Sequence, residues 1–324
     1  MIEVWGQAPD GSDVQRITLK RGGLSATVIS FGAILQDLRL EGHASSLVLG
    51  FDTLEAYTKN PQYFGAIVGR FAGRIAGASA EIDGVTYPLD CNFIGKHQLH
   101  GGSDGASFRN WALEEHGPDF ATFTTILPDR HMGFPGAISL RATYRLLEDA
   151  TLQLDLEAQT DAPTLCNLTS HNYFTLDGSP DLSHHALEIN AARYIPVDDE
   201  GIPSSGVVDV ADSAFDYRTA RALAEQNQIA VIDHCFCTET KRVAKRPVAR
   251  ITSNQSGLAM MLSSTEPGLQ VFTGSTLTAA APFAAIALEP QGWTDAPHHP
   301  DFPSAILRPG QTYLNRAGFA FGKA

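Results

Sequence analysis

Cysteine is scarce in this chain: four in 324 residues, at Cys91, Cys166, Cys235 and Cys237. That is too few for a disulfide framework. Cys235-Phe236-Cys237 lacks both the two-residue spacer and the second pair of a zinc site. Positive charge is short as well. Lys and Arg total 23 against 36 Asp and Glu, a net charge of −13, which opposes nucleic acid and other polyanions and favours neutral or cationic partners. Met1 to Gly11 show no basic stretch followed by an apolar run, and no segment approaches the roughly 18 consecutive apolar residues that span a bilayer. No Ser/Gly linker, like-charge block or repeat interrupts the sequence. The expectation is therefore one soluble, unprocessed unit, residues 1–324, monomeric or homodimeric, suited to a reducing cytosol with a periplasmic home left open.

Helical signal is also thin. Only Asp52 to Asn60, capped by Asp52 or Thr53, and Thr219 to Gln226 read as helices. Two-fold alternation dominates instead. Ile138, Leu140, Ala142, Tyr144 and Leu146 alternate with polar residues, and so do Leu152, Leu154, Leu156 and Ala158, predicting a long antiparallel hairpin that turns at Glu148-Asp149. Similar pairs are predicted for Glu81 to Leu89 around Asp83-Gly84, and for Val248 to Ser263 around Asn254 to Gly257. Many strands and few short helices imply an all-β chain, a large antiparallel β-sandwich with a cleft across one sheet.

Five short stretches place histidines, acids or arginines beside Gly, Pro or Asn. They are Gly69-Arg70-Phe71-Ala72-Gly73-Arg74-Ile75, His97-Gln98-Leu99-His100-Gly101-Gly102, Asn167 to Phe174, Ile232-Asp233-His234-Cys235-Phe236, and Leu288-Glu289-Pro290-Gln291-Gly292-Trp293-Thr294-Asp295. Gly133 to Gly136, Pro196 to Pro203, Phe215 to Arg218 and Glu266 to Gly274 fill the gaps. In this order and at these separations the sequence resembles the aldose 1-epimerase (galactose mutarotase) family, from about Gly32 to Phe319. The resemblance implies the galactose mutarotase-like supersandwich and interconversion of the α and β anomers of a free aldose, without cofactor or metal. It implies Glu289 as general base on the anomeric hydroxyl, His171 as general acid on the ring oxygen, and His100 hydrogen bonding near that oxygen. Arg74, Asp233 and Gln270 match positions that orient sugar hydroxyls.

The chemistry suits these residue types. Opening a hemiacetal takes a proton from the C1 hydroxyl and delivers one to the ring oxygen, so one base and one acid suffice. Read from neighbours alone, Glu289 is an acid at a strand exit, His171 a satisfied core or turn histidine and Arg74 a surface arginine, while Asp233 is equally a turn cap. Trp293 and Phe272 divide evenly between core and sugar platform. Arg70 reads as a structural ion-pair partner. His184-His185 and His298-His299 read as exposed turns. His97 and His100 sit among glycines that favour a loop over a metal-binding helix.

Where relatives usually carry Asn, this chain has Gly73, which predicts a roomier pocket beside Arg74; Ser170, Thr294 and His298 are further departures that flank the site. Three rivals stay open. A hexose-6-phosphate 1-epimerase needs cations for a phosphate, and Lys241, Arg242, Lys245 and Arg246 form the only basic cluster. A glycosidase would use Glu289 with Asp233. A non-catalytic carbohydrate-binding module would use the same groove.

Overall fold

The computed structural model describes residues 1–59, 62–226 and 228–324. Its largest element is an antiparallel sheet of nine strands, ordered Ala112–His116, Phe120–Leu127, Ile138–Leu146, Thr151–Thr160, Tyr313–Lys323, Leu258–Ser264, Arg246–Ser253, His185–Ile189 and Arg221–Ala222. The predicted long hairpin supplies its third and fourth strands, with Ile138 opposite Thr160 and Leu146 opposite Leu152. The hairpins Ser79–Ile82 with Val85–Pro88 and Arg246–Ser253 with Leu258–Ser264 also form as expected.

A second antiparallel sheet has six strands: Tyr173–Phe174, Ile286–Gln291, Gly268–Phe272, Asp233–Cys237, Arg193–Ile195 and Val208–Asp209. Side chains alternate along each strand. Leu269, Val271, Ile286, Leu288 and Phe236 therefore join Leu152, Leu154 and Leu156 of the larger sheet in one buried cluster, as expected for two sheets packed face to face. The same alternation turns Gln270, Phe272, Ala287 and Glu289 to the opposite face. A four-stranded sheet, Ile2–Gln7 to Ile34–Leu40, contributes Ile17, Leu24 and Val28 to the common core. No helix of the described residues is long and apolar enough to cross a membrane.

Two sequence expectations need correction here. The first predicted helix forms as Leu54–Thr58, capped by Thr53, and Asn60 lies outside the described residues. The second, Thr219 to Gln226, is not helical. It forms the short strands Arg221–Ala222 and Ala224–Glu225. Leu223 is buried in the core, and its N–H donates to the His185 carbonyl, so pairing with the sheet edge outweighs a weak local helix preference. His185 is likewise no exposed turn residue. It is 1% exposed, and its Nε2 accepts from the Leu176 N–H at 3.0 Å.

Candidate functional site

The outer face of the six-stranded sheet forms the floor of the site. Register places Gln270 directly opposite Glu289, and Cys235 opposite Gln270, with Asp233 two residues back along the same strand. Period two therefore brings a carboxylate, an amide and a second carboxylate onto one face. Gln270 Nε2 donates to Asp233 Oδ1 at 2.7 Å, and Arg74 Nη2 donates to Asp233 Oδ2 at 3.0 Å. The result is a continuous polar row beside Glu289.

His171 arrives from the loop between Thr169–Ser170 and Tyr173–Phe174, pinned by its N–H to the Ala66 carbonyl and by its carbonyl to the Gly65 N–H. Its ring stacks on Tyr173 at 4.8 Å and lies edge to face with His100 at 5.4 Å. Nε2 of His171 is 3.6 Å from Oε1 of Glu289. Nδ1 of His171 and Oε2 of Glu289 have no protein partner. Buried polar atoms are seldom left so unless a ligand or water completes them.

His100 is held by two bonds to one residue: its N–H donates to the Gly73 carbonyl, and its Nδ1 accepts from the Gly73 N–H at 3.2 Å. With Nδ1 accepting, a neutral ring carries its proton on Nε2, which is left as a donor. The following glycine is obligatory. Gly101 has φ +87°, and a Cβ there would fall 2.0 Å from the Gly69 carbonyl oxygen, so the His100 loop can lie against the Gly69 backbone only without a side chain.

Burial sets the electrostatics. It pushes the Glu289 carboxyl well above the usual range, with Asp233 adding to the rise and Arg74 opposing it. It lowers the His171 imidazole to about 4, and lowers His100 well below an ordinary histidine, helped by His171 and Arg74. Desolvation thus favours the uncharged form of each. Because Glu289 and His171 are 3.6 Å apart, their protons belong to the pair rather than to either alone.

All six residues singled out in the sequence, His100, His171, Glu289, Arg74, Asp233 and Gln270, line one cavity of about 180 Å³. A larger depression of about 680 Å³ lies on the nine-stranded sheet around Thr125, Ile126 and Glu157; its charged lining residues are Arg141 ion-paired with Glu114 and Glu157, and no histidine is among its described lining residues. Phe272 lines the small cavity, whereas Trp293 is a core residue whose Nε1 donates to the Pro267 carbonyl. Local sequence did not mark Tyr63 and Phe93 as lining residues; they are aromatics in loops, without periodicity. Gly73 adds less room than expected, since a Cβ there would already meet Thr294 Oγ1 at 3.0 Å and Gln291 Nε2 at 3.4 Å. The basic cluster lies elsewhere: Arg242 pairs with the buried Glu266, and Lys241 and Arg242 border a separate cavity.

A β-sandwich that carries a carboxyl–imidazole pair and a row of hydrogen-bonding groups in a pocket of this size defines a class: an acid–base site for a small polyhydroxylated molecule. Comparison with known proteins gives the family. The aldose 1-epimerase family profile matches residues 15–319. The chain is 33% identical to the aldose 1-epimerase of Escherichia coli K12 over 336 residues, 97% of each chain. It is 35% identical to the galactose mutarotase of Homo sapiens over 341 residues, 99% of this chain and 98% of that one. Among solved structures, an aldose epimerase homologue from C. elegans superposes with a TM-score of 0.90 at 30% identity, covering 95% of this chain and 99% of the other. A galactose 1-epimerase from Lactobacillus acidophilus NCFM gives 0.87 at 25% identity, covering 100% and 98%. This chain belongs to the aldose 1-epimerase family.

Proposed function

We propose that this protein is an aldose 1-epimerase, an isomerase that interconverts the α and β anomers of a free monosaccharide, with Glu289 and His171 as its proton-transfer pair. The observation that carries the reading is the 3.6 Å approach of Glu289 Oε1 to His171 Nε2 on the floor of one cavity. In ring opening, the Glu289 carboxylate takes the proton of the C1 hydroxyl and the His171 imidazolium gives one to the ring oxygen, as the bond from C1 to that oxygen breaks and the carbonyl forms. The aldehyde turns about C1–C2. Reclosure on the other face returns both protons, so the cycle consumes nothing. After opening, the pair is uncharged, Glu289 protonated and His171 neutral, which is the state that burial favours. His100 offers its Nε2 hydrogen to the ring oxygen, and Arg74, Asp233 and Gln270 bind the hydroxyls. We also read the chain as one catalytic unit, because its main core draws on residues from Ile17 to Phe321. Four free thiols suit a reducing cytosol.

The rivals fit less well. Arg74 is the only lysine or arginine among the described lining residues, and it is committed to Asp233, so a phosphate dianion has no clamp. Both oxygens of Asp233 are occupied by Gln270 and Arg74, which suits an orienting carboxylate rather than the second carboxylate of a glycosidase. The test is anomer exchange. Adding the protein to freshly dissolved α-glucose or α-galactose is expected to accelerate the drift of optical rotation, equally with and without EDTA; sugar binding without acceleration would establish a binding module instead.

The pair predicts the pH profile. The productive form holds one proton between Glu289 and His171. As pH falls through the lowered pKa of His171, about 4, a second proton binds and the base is lost. As pH rises past the elevated pKa of Glu289, the shared proton leaves. The kcat/KM, corrected for spontaneous exchange, should hold a plateau through the mildly acidic range and fall near pH 4. An acid limb at an ordinary imidazole pKa, roughly 6.5, would show that burial does not govern His171.

A further inference from the structure

Arg74 is gripped by two loops other than the segments that carry Glu289 and His171. Its Cζ lies 5.0 Å from the centre of the Phe93 ring. Gly201 also packs against the guanidinium: a Cβ there would fall 2.7 Å from Arg74 Cζ and 2.9 Å from its Nε and Nη1. Gly201 has φ +75°, and the turn that carries it is rigidly built. The Gly201 N–H donates to the Asp198 carbonyl, and Asp198 Oδ1 accepts from the N–H groups of Glu200 and Ile202.

The two loops are tied to each other by one carboxylate. Glu200 Oε2 accepts from Lys96 Nζ and lies 2.9 Å from His97 Nε2. His97 is 3% exposed, and its Nδ1 accepts from the Gly77 N–H at 3.0 Å, which leaves the neutral ring's hydrogen on Nε2, directed at Glu200. Phe93 and His97 belong to the same turn, joined by the His97 N–H to the Phe93 carbonyl. Closing Glu200 onto His97 and Lys96 therefore brings Phe93 and Gly201 together on Arg74.

We propose that Glu200, His97 and Gly201 are positioning residues for sugar binding: the latch between Glu200 and His97 presses Gly201 onto Arg74 and fixes the guanidinium where it meets Asp233 and the substrate hydroxyls. The proposal rests on the epimerase reading, but only on its binding half. A guanidinium displaced by a fraction of an ångström loses hydrogen bonds to substrate while the proton-transfer pair stays intact, so the effect falls on KM rather than kcat.

The experiment is a set of steady-state anomer-exchange measurements and calorimetric titrations with galactose or glucose on the wild type, Gly201→Ala, Glu200→Gln and Arg74→Ala, and on Arg74→Ala combined with each of the other two. We expect Gly201→Ala to raise KM roughly tenfold and Glu200→Gln roughly threefold or more, with kcat changed less than about threefold. Neither should add to the effect of Arg74→Ala, because their influence passes through that side chain. Unchanged KM in both loop variants, or full additivity with Arg74→Ala, would overturn the proposal. Should Gly201→Ala fail to fold, Glu200→Gln and its double variant decide alone. A wild type that binds sugar without turnover would refute the epimerase reading, yet the same non-additivity, read as dissociation constants, would still judge the latch.

Discussion

Glu289→Gln is expected to lower kcat by at least roughly 10²-fold while changing sugar affinity little, and His171→Asn to do the same. Glutamine keeps the size and one carbonyl oxygen of Glu289 but cannot take the C1 proton. Asparagine at 171 fills part of the ring's volume and carries hydrogen-bond donors, but it cannot cycle between protonated and neutral forms. Both side chains are nearly buried, Glu289 at 1% exposure and His171 at 6%, so bulk water cannot stand in for either without entering the pocket. Since the two act as a unit on one hemiacetal, the double variant should be little slower than the worse single one. Following anomer exchange by saturation-transfer NMR, beside equilibrium sugar binding, separates the two effects. Near-normal turnover in either variant would remove that residue from the reaction.

What the sequence made legible follows from which forces are local. Strand alternation is local, so the hairpin from Ile138 to Ala158 and the turns at Asp83-Gly84 and Asn254 to Gly257 can be read directly, as can a helix cap at Asp52 or Thr53. The six site residues could not be assembled that way. Glu289 and Gln270 face each other because of strand register, and His171 and His100 reach them from separate loops, so only resemblance to a family brought them together. Interactions set by distant partners are not legible locally. Thr219 to Gln226 looks helical until Leu223 is seen to be anchored at a sheet edge, and His185 looks exposed until Leu176 is placed on its Nε2. Phe93, Tyr63 and Gly201 gave no local sign of their place, since each acts through a packing contact with a residue far away in sequence.

Arg70 depends on distant partners in the same way, and its contacts carry a large share of local stability. Its sequence neighbours present it as an ion-pair partner, yet it is 1% exposed, and its hydrogen-bond partners among the described residues are carbonyls and a hydroxyl. Nη1 donates to the carbonyls of Pro135 and Gly136 and to Thr164 Oγ1, while Nη2 donates to the carbonyls of Leu127 and Pro128. Burial lowers its pKa to about 10, so it stays charged at neutral pH. Five acceptors replace the water of Nη1 and Nη2, while the buried Nε has no hydrogen-bond partner, and in return Arg70 ties the segment leading to Arg74 to the turn before Ile138–Leu146. Arg70→Met keeps most of the volume and removes a costly buried charge, but it strands the Pro135 and Gly136 carbonyls, whose desolvation then goes unanswered. We expect a net loss of about 3–5 kcal/mol, since each stranded buried carbonyl costs roughly 1–3 kcal/mol and several lose their donor at once. At roughly 2.1 cal/mol/K of unfolding entropy per residue, that lowers Tm by roughly 4–7 °C. Arg70→Lys should recover only part of this, because a point ammonium cannot serve both carbonyl pairs that the planar fork spans. Thermal unfolding of the three proteins at one pH measures it. If Arg70→Met melts within about 1 °C of the wild type, the carbonyls have found other partners and the arginine is not what holds this turn to the site.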